Sequence, residues 1–175
     1  MLTLKGKQVY LRALEPEDLE LIYIIENDES VWEVSQTQTP YSRFLIKQYL
    51  ENCHKDIYEV KQLRLMIVTN SEEPVGFIDL FDFDPKNDKV GLGVLVLDHA
   101  RGKKYGQEAL KLLIEYAFKN LYVHQIYANV LEDNLGSIKL FEKLNFIKSG
   151  VKKDWVLEGN QYKNEYLFQL IKDVH

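Results

Sequence analysis

The residues best suited to chemistry stand in one short turn, Arg101-Gly102-Lys103-Lys104-Tyr105-Gly106. It follows an unbroken apolar run from Val90 to Leu97, which reads as a buried strand. It precedes an amphipathic helix with apolar residues at Tyr105, Ala109, Leu112, Leu113, Tyr116 and Ala117. A strand that feeds a helix through such a turn aims several backbone N–H groups at one point. The helix dipole adds positive potential there, so the turn suits an anion, above all a phosphate. Three cationic side chains fall within four residues here, although the chain as a whole carries a net charge of −5. The plainer reading, a solvated basic loop, does not account for the position between strand and helix. The turn is not a nucleoside-triphosphate loop, because no glycine-lysine-serine/threonine ending is present. Gly91-x-Gly93 lies inside the strand and lacks a third glycine, so it is not a dinucleotide fingerprint either. The four histidines (His54, His99, His124, His175) are not spaced with cysteine or acid as a metal set requires, and no metal is expected.

The elements that hold this turn follow from the rest of the chain. At 175 residues it is long enough for one domain, spanning 1–175, that buries about two thirds of its surface. The acidic balance argues against nucleic acid as a partner, and no apolar stretch approaches membrane-spanning length. The lone Cys53 forms no internal disulfide and MLTLKGKQVYLR carries no signal-peptide pattern, so a reducing cytoplasm is expected. Val9–Leu14 alternates like a strand. Glu15-Pro16-Glu17-Asp18 opens a helix to about Asn27. Residues 28–41 read as a polar loop, and Ser42 as the cap of a second helix to about Tyr58. Leu63–Thr69 and Pro74–Phe83 read as strands, as do Ile126–Val130, Ile147–Leu157 and Gln161–Ile171. Asn134 caps a short helix through Leu144, which Asn145 ends in the left-handed conformation. An antiparallel meander before one strand–helix–strand crossover predicts a mixed α/β fold, with a central mixed sheet flanked by helices.

The Val90–Gly106 stretch and the segment Asn134-Leu135-Gly136-Ser137-Ile138-Lys139-Leu140-Phe141-Glu142-Lys143-Leu144-Asn145-Phe146 resemble the two signature regions of the GNAT superfamily, acetyl-CoA-dependent N-acetyltransferases. The resemblance covers nearly the whole chain. It is strongest to the branch holding ribosomal-protein N-terminal acetyltransferases and bacterial spermidine acetyltransferases. It implies acetyl-CoA as cosubstrate, with Arg101, Gly102, Lys103, Lys104, Tyr105 and Gly106 around the pyrophosphate. Val94, Leu95 and Val96 would offer backbone groups to the pantetheine arm, and a bulge in their strand would part it from Ile126–Val130. Asn134 and Ser137 would reach the same arm. Lys104 stands where the family has its central glycine, and an ordinary backbone conformation is expected there. Phe141 stands where many members carry a tyrosine that protonates the leaving thiolate. A water, Ser137 or another tyrosine would supply that proton, or the thiolate leaves without it.

The resemblance implies an attacking amine, which must first lose a proton. Asp79 and Asp82 match acids of the spermidine branch. Three residues apart on a regular strand, they point to opposite faces unless a bulge intervenes. An aspartate among Phe77, Phe81 and Phe83 needs a partner, which makes Asp79 the preferred catalytic residue beside Ser137, with Asp82 toward the substrate. Trp32, Tyr41, Trp155 and Tyr162 would wall the acceptor pocket, although packing is the commoner use of such aromatics. The acceptor is a small-molecule or peptide amine: spermidine or another polyamine, an N-terminal peptide amine, an aminosugar or an aminoglycoside. The segment Glu33–Thr39 is poorer in acids than its counterpart in the spermidine enzymes. A homodimer is compatible with this reading. The rival classes are a non-catalytic acyl-CoA-binding module and a nucleotide-binding regulator. In a thermal-shift competition, CoA is expected to protect the protein and ATP to leave that protection undisturbed; displacement of CoA by ATP would favour the regulator.

Overall fold

The computed structural model describes residues 4–35 and 37–173, in a larger unit (Met1–Ala13 with Ile57–His175) and a smaller one (Leu14–Asp56). The strands are β1 (Val9–Ala13), β2 (Leu63–Thr69), β3 (Pro74–Asp84), β4 (Lys89–Val96), β5 (Gln125–Leu131), β6 (Ile147–Glu158) and β7 (Gln161–Ile171). The helices are α1 (Leu19–Glu26), α2 (Glu29–Ser35), α3 (Arg43–Glu51), α4 (Ile57–Val60), α5 (Tyr105–Asn120) and α6 (Leu135–Lys143). All seven strands form one sheet in the order β1-β2-β3-β4-β5-β7-β6. β1 to β4 are an antiparallel meander, and β4 and β5 are parallel, joined through α5. This is the expected mixed α/β architecture. No helix among the described residues is long and apolar enough to cross a membrane.

Alternation along the strands divides the larger unit's sheet into two faces. One face carries Val9, Leu11, Leu65, Ile67, Ile78, Leu80, Val90, Leu92, Ile126, Ala128 and Phe168, which form a single core with Ala109, Leu110, Leu113 and Ala117 of α5. The other face, read off the same register, carries Arg64, Phe77, Asp79, Phe81, Gly91, Gly93 and Tyr127. Two glycines are dictated by close approach. A Cβ on Gly76 would lie 2.0 Å from the Leu95 carbonyl oxygen, and one on Gly91 would lie 2.3 Å from the Phe81 ring. The N-terminal segment is tied to α5 by Glu108, whose carboxylate accepts from the amides of Lys7 (2.5 Å) and Gln8 (3.0 Å).

The smaller unit corrects two expectations. Residues 28–41 are not all loop, because α2 occupies Glu29–Ser35; the Trp32 indole donates to the Glu26 carbonyl (2.8 Å), a bond no local motif announces. Ser42 does cap α3, accepting from the Leu45 amide (3.1 Å), but the helix ends at Glu51 rather than near Tyr58. Its C-cap residue, Asn52, bonds its side chain back to the Gln48 carbonyl (2.8 Å), a local alternative to continued helix. Arg43 grips Glu20 through Nε and Nη2 and stacks on the Tyr23 ring at 3.9 Å. The family-derived bulge in β4 is also absent. Register between β3 and β4 is continuous from Gly76↔Val96 to Phe81↔Gly91, and the irregularity lies on β3, between Phe81 and Asp84.

Gly76→Ala is expected to lower stability by about 2–3 kcal/mol, since rigid backbone must move to admit a methyl group. A denaturant midpoint within error of the parent protein would refute this.

Candidate active site

β4 and β5 pair over only three registers: Lys89↔Gln125, Val90↔Ile126 and Gly91↔Tyr127. Beyond Gly91 the two strands part, while β4 stays paired to β3 through Val96. The Leu97 amide donates to the Val75 carbonyl (2.9 Å), so by antiparallel alternation Leu95 and Gly93 also turn their backbone groups to β3. Val94 and Val96 turn theirs the other way, into the opening. Of the three residues expected to line an acyl arm, Val94 and Val96 thus present N–H groups to the gap, and Leu95 faces β3. The Val96 carbonyl is met by Nε of Arg101 (3.1 Å). Buried backbone donors need partners; an extended arm carrying amides would supply them as an added strand does.

The turn at the end of β4 leads directly into the N-terminus of α5. The first α5 bond runs from the Glu108 amide to the Lys104 carbonyl (3.1 Å), so the amides of Tyr105, Gly106 and Gln107 precede the helical ladder. Arg101, Lys103 and Lys104 are exposed, and Gly106 is buried against Val96, where a Cβ would come within 3.0 Å of a methyl group. Arg101 also pairs with Asp98 (2.9 Å). The expectation of an ordinary backbone at Lys104 fails. Lys104 is left-handed, φ 67° and ψ 11°, as the glycine of the family motif would be, and Gly102 has φ 79°. The turn keeps its shape and lysine bears the strain, about 1–2 kcal/mol. Donors, dipole and cations together fit a diphosphate.

A bulge does intervene between the two acids, and it changes their relation. Phe81 and Asp82 lie on the same side, with Asp82 at φ 49°, while Phe83 drops into the core at 3% exposure. The Phe83 amide, off register with β4, donates to the Lys61 carbonyl (3.0 Å). Asp82 accepts from the Tyr127 hydroxyl (3.4 Å), and the Tyr127 ring meets Phe81 edge-on at 5.8 Å. Burial, then the Asp82 charge and hydrogen bond, push the Tyr127 phenol up to about 12. Asp79 has the partner its apolar setting demanded: Arg64, its cross-strand neighbour on β2, donates Nε at 2.6 Å and Nη2 at 3.5 Å. Sequence reading had missed both Arg64 and Tyr127. Each is 15 or more residues from its acid, and only strand register brings them together.

The second signature segment folds as its caps imply. Asn134 Oδ1 accepts from the Ser137 amide (3.1 Å), and Asn145 is left-handed at φ 66°. Phe141 is buried against Phe146 (5.1 Å) and Phe168 (6.2 Å). Trp155 and Tyr162 are exposed on the β6–β7 hairpin, with the Lys152 ammonium 5.0 Å from the Trp155 ring. Trp32 is half-buried in the smaller unit. His99 pairs with Glu73 at 3.1 Å, and His175 and Gln36 lie outside the described residues.

The family model for the acetyltransferase (GNAT) domain matches residues 8–147. The chain belongs to the GNAT acetyltransferase family. Among curated relatives, a probable N-acetyltransferase of Bacillus subtilis, YjcK, is 32% identical over 86% of this chain and 86% of its own length. The spermidine N(1)-acetyltransferase of Vibrio cholerae is 23% identical over 94% of this chain and 95% of its own. The crystal structure of spermidine N-acetyltransferase from Vibrio cholerae in complex with CoA and spermine shares the fold with a TM-score of 0.86, at 18% identity, covering 95% of this chain and 96% of that one. This GNAT protein is accordingly an acetyl-CoA-dependent N-acetyltransferase acting on an amine, and the opening beside β4 with the turn before α5 fits its cosubstrate.

Lys104→Gly is expected to raise stability by about 0.5–1 kcal/mol, the left-handed strain relieved less the extra chain entropy of glycine. Urea titration checks the sign. Tyr127 is expected to stay protonated beyond the range of an ordinary phenol. Its raised value stabilises the fold fully below pH 10, and the contribution is lost as pH climbs toward about 12. Alkaline absorbance titration of the parent and Tyr127→Phe reads the difference directly.

Proposed function

We propose that the acceptor is a polyamine such as spermidine, and that residues 1–175 act as a single GNAT domain. The observation that carries the reading is the pair of carboxylates, Asp79 and Asp82, on the sheet face where β4 and β5 separate. The likeness to the Vibrio cholerae spermidine N(1)-acetyltransferase supports it, as does the chain's net charge of −5. The family match runs from residue 8 to 147 across both units, which supports one domain.

Each group then has a task. Backbone donors of the 101–106 turn, with Arg101, Lys103 and Lys104, hold the diphosphate. The N–H groups of Val94 and Val96 align the arm and offer a donor to the thioester oxygen as it gains charge. Asn134 and Ser137, at the start of α6, approach the arm from the β5 side. Asp79 is committed to Arg64, so the proton-accepting role passes to Asp82, which is exposed. Asp82 binds the ammonium and takes its proton, which passes on to water. The freed nitrogen bonds to the acetyl carbon, the carbon–sulfur bond breaks with its electron pair on sulfur, and the nitrogen gives up its second proton to water as the amide forms. Phe141 has no proton to give. The sulfur departs as a thiolate, which is tolerable for a thiol of pKa about 8.5, with Ser137 the hydroxyl that α6 supplies. Trp32, Trp155 and Tyr162 are assigned to the acceptor. We extend the proposal to a cytoplasmic setting without a metal, and to self-association, with a homodimer the smallest assembly. A dodecameric structure is described for the Vibrio cholerae enzyme.

Thiol release from acetyl-CoA is the test, with spermidine, an N-terminal peptide and an aminosugar as acceptors. Spermidine is expected to give the highest kcat/KM, and Asp82→Asn to lower it about a hundredfold with the acetyl-CoA KM unchanged. Preference for the peptide would move the acceptor class. CoA binding without turnover on any amine would leave an acyl-CoA-binding module.

A further inference from the structure

We infer that Tyr127 is a positioning residue for the acceptor: it aims the Asp82 carboxylate at the incoming ammonium from the point where β4 and β5 part. The inference rests on the proposed proton-accepting role of Asp82 and adds the residue that makes it work.

Four features converge on one spot. Tyr127 is the last β5 residue paired with β4, opposite Gly91. Gly91 has no Cβ, and one would strike the Phe81 ring at 2.3 Å; the ring is thereby free to lie over the strand and meet Tyr127 edge-on at 5.8 Å. The bulge at Asp82 places a non-glycine residue at φ 49°, a conformation that persists only when its surroundings impose it. The anchors of the bulge are visible: Phe83 lies in the core, 5.0 Å from the Tyr58 ring, and its amide is bonded to the Lys61 carbonyl. On the opposite side, the Tyr127 hydroxyl donates to Asp82 Oδ2 at 3.4 Å, longer than a typical O–H···O bond, as catalytic contacts are before substrate binds. A phenol that keeps its proton throughout the working range is always a donor. It occupies one carboxylate oxygen and leaves the other to the amine. The bulge puts Phe83 into the core and by the same kink turns Asp82 to the Tyr127 side, where a regular strand would point it at the core.

The neighbouring charges do not compete for this role. Arg64 from β2 is held by Asp79, and Lys89 from β4 lies 3.8 Å from Asp84. Tyr127 therefore supplies orientation rather than charge, and its removal is felt by acceptors that arrive as ammonium ions.

The test is a double-mutant cycle in the intact protein, read by thiol release with whichever panel amine is turned over fastest. Tyr127→Phe, which keeps the ring and its contact with Phe81, is expected to lower kcat/KM for that amine about tenfold, with the acetyl-CoA KM unchanged and a cooperative thermal transition retained. Asp82→Asn is expected to lose more, and the double variant to lose no more than Asp82→Asn alone. The ratio of kcat/KM for that amine over hydroxylamine, a free base at neutral pH whose uncatalysed reaction with the thioester is subtracted, is expected to fall about tenfold in Tyr127→Phe. Additive losses, an unchanged ratio, or an acetyl-CoA KM that rises in step would overturn the inference. An inactive parent protein would instead sink the proposed acceptor class, so the two failures are told apart.

Discussion

A strand that loses its neighbour halfway along is the constraint on which the rest of this protein depends. Inside a sheet every backbone donor must be bonded, and β4 satisfies one edge completely through β3. On its other edge pairing ends at Gly91↔Tyr127, leaving the N–H groups of Val94 and Val96 directed at a partner that must come from elsewhere. The peptide-like amides of an acetyl-CoA arm suit this deficit. The turn before α5 extends the same logic, because helix geometry leaves its first amides unpaired just where β4 ends.

The arrangement separates two chemistries that would otherwise interfere. Cations and amides gather at one end of β4, around Arg101–Gly106, and carboxylates toward the other, around Asp79 and Asp82. The field along this strand thus favours an anion at one end and a cation at the other.

Much of the scaffold was legible in the chain because its signals are local. Ser42, Asn134 and Asn145 cap or end helices by side chain and backbone geometry within three or four residues, and each does so where expected. β2, β3, β4 and the α5 crossover follow from apolar patterning and turn residues. What escaped was set by distance or by context. α2 is capped by Asp28, whose Oδ1 accepts from the Ser30 amide (2.9 Å), a signal lost in a stretch that otherwise reads as polar loop, and its Trp32 is held by a carbonyl six residues back. The bulge at Asp82 contains no glycine to betray it, and the Arg64–Asp79 and Tyr127–Asp82 contacts exist only once register is fixed. Lys104 misled for the opposite reason. Its identity argued against a left-handed turn, and the surrounding strand and helix enforced that turn regardless.

Glu108 has a wider significance than its two hydrogen bonds suggest. It lies in the opening turn of α5, where a free carboxylate would repel the very phosphates the helix attracts. The amides of Lys7 and Gln8 blunt that charge from outside the helix. Lys7 and Gln8 thereby offset part of the charge that Glu108 places at the mouth of the basic turn, a task done wholly by main chain.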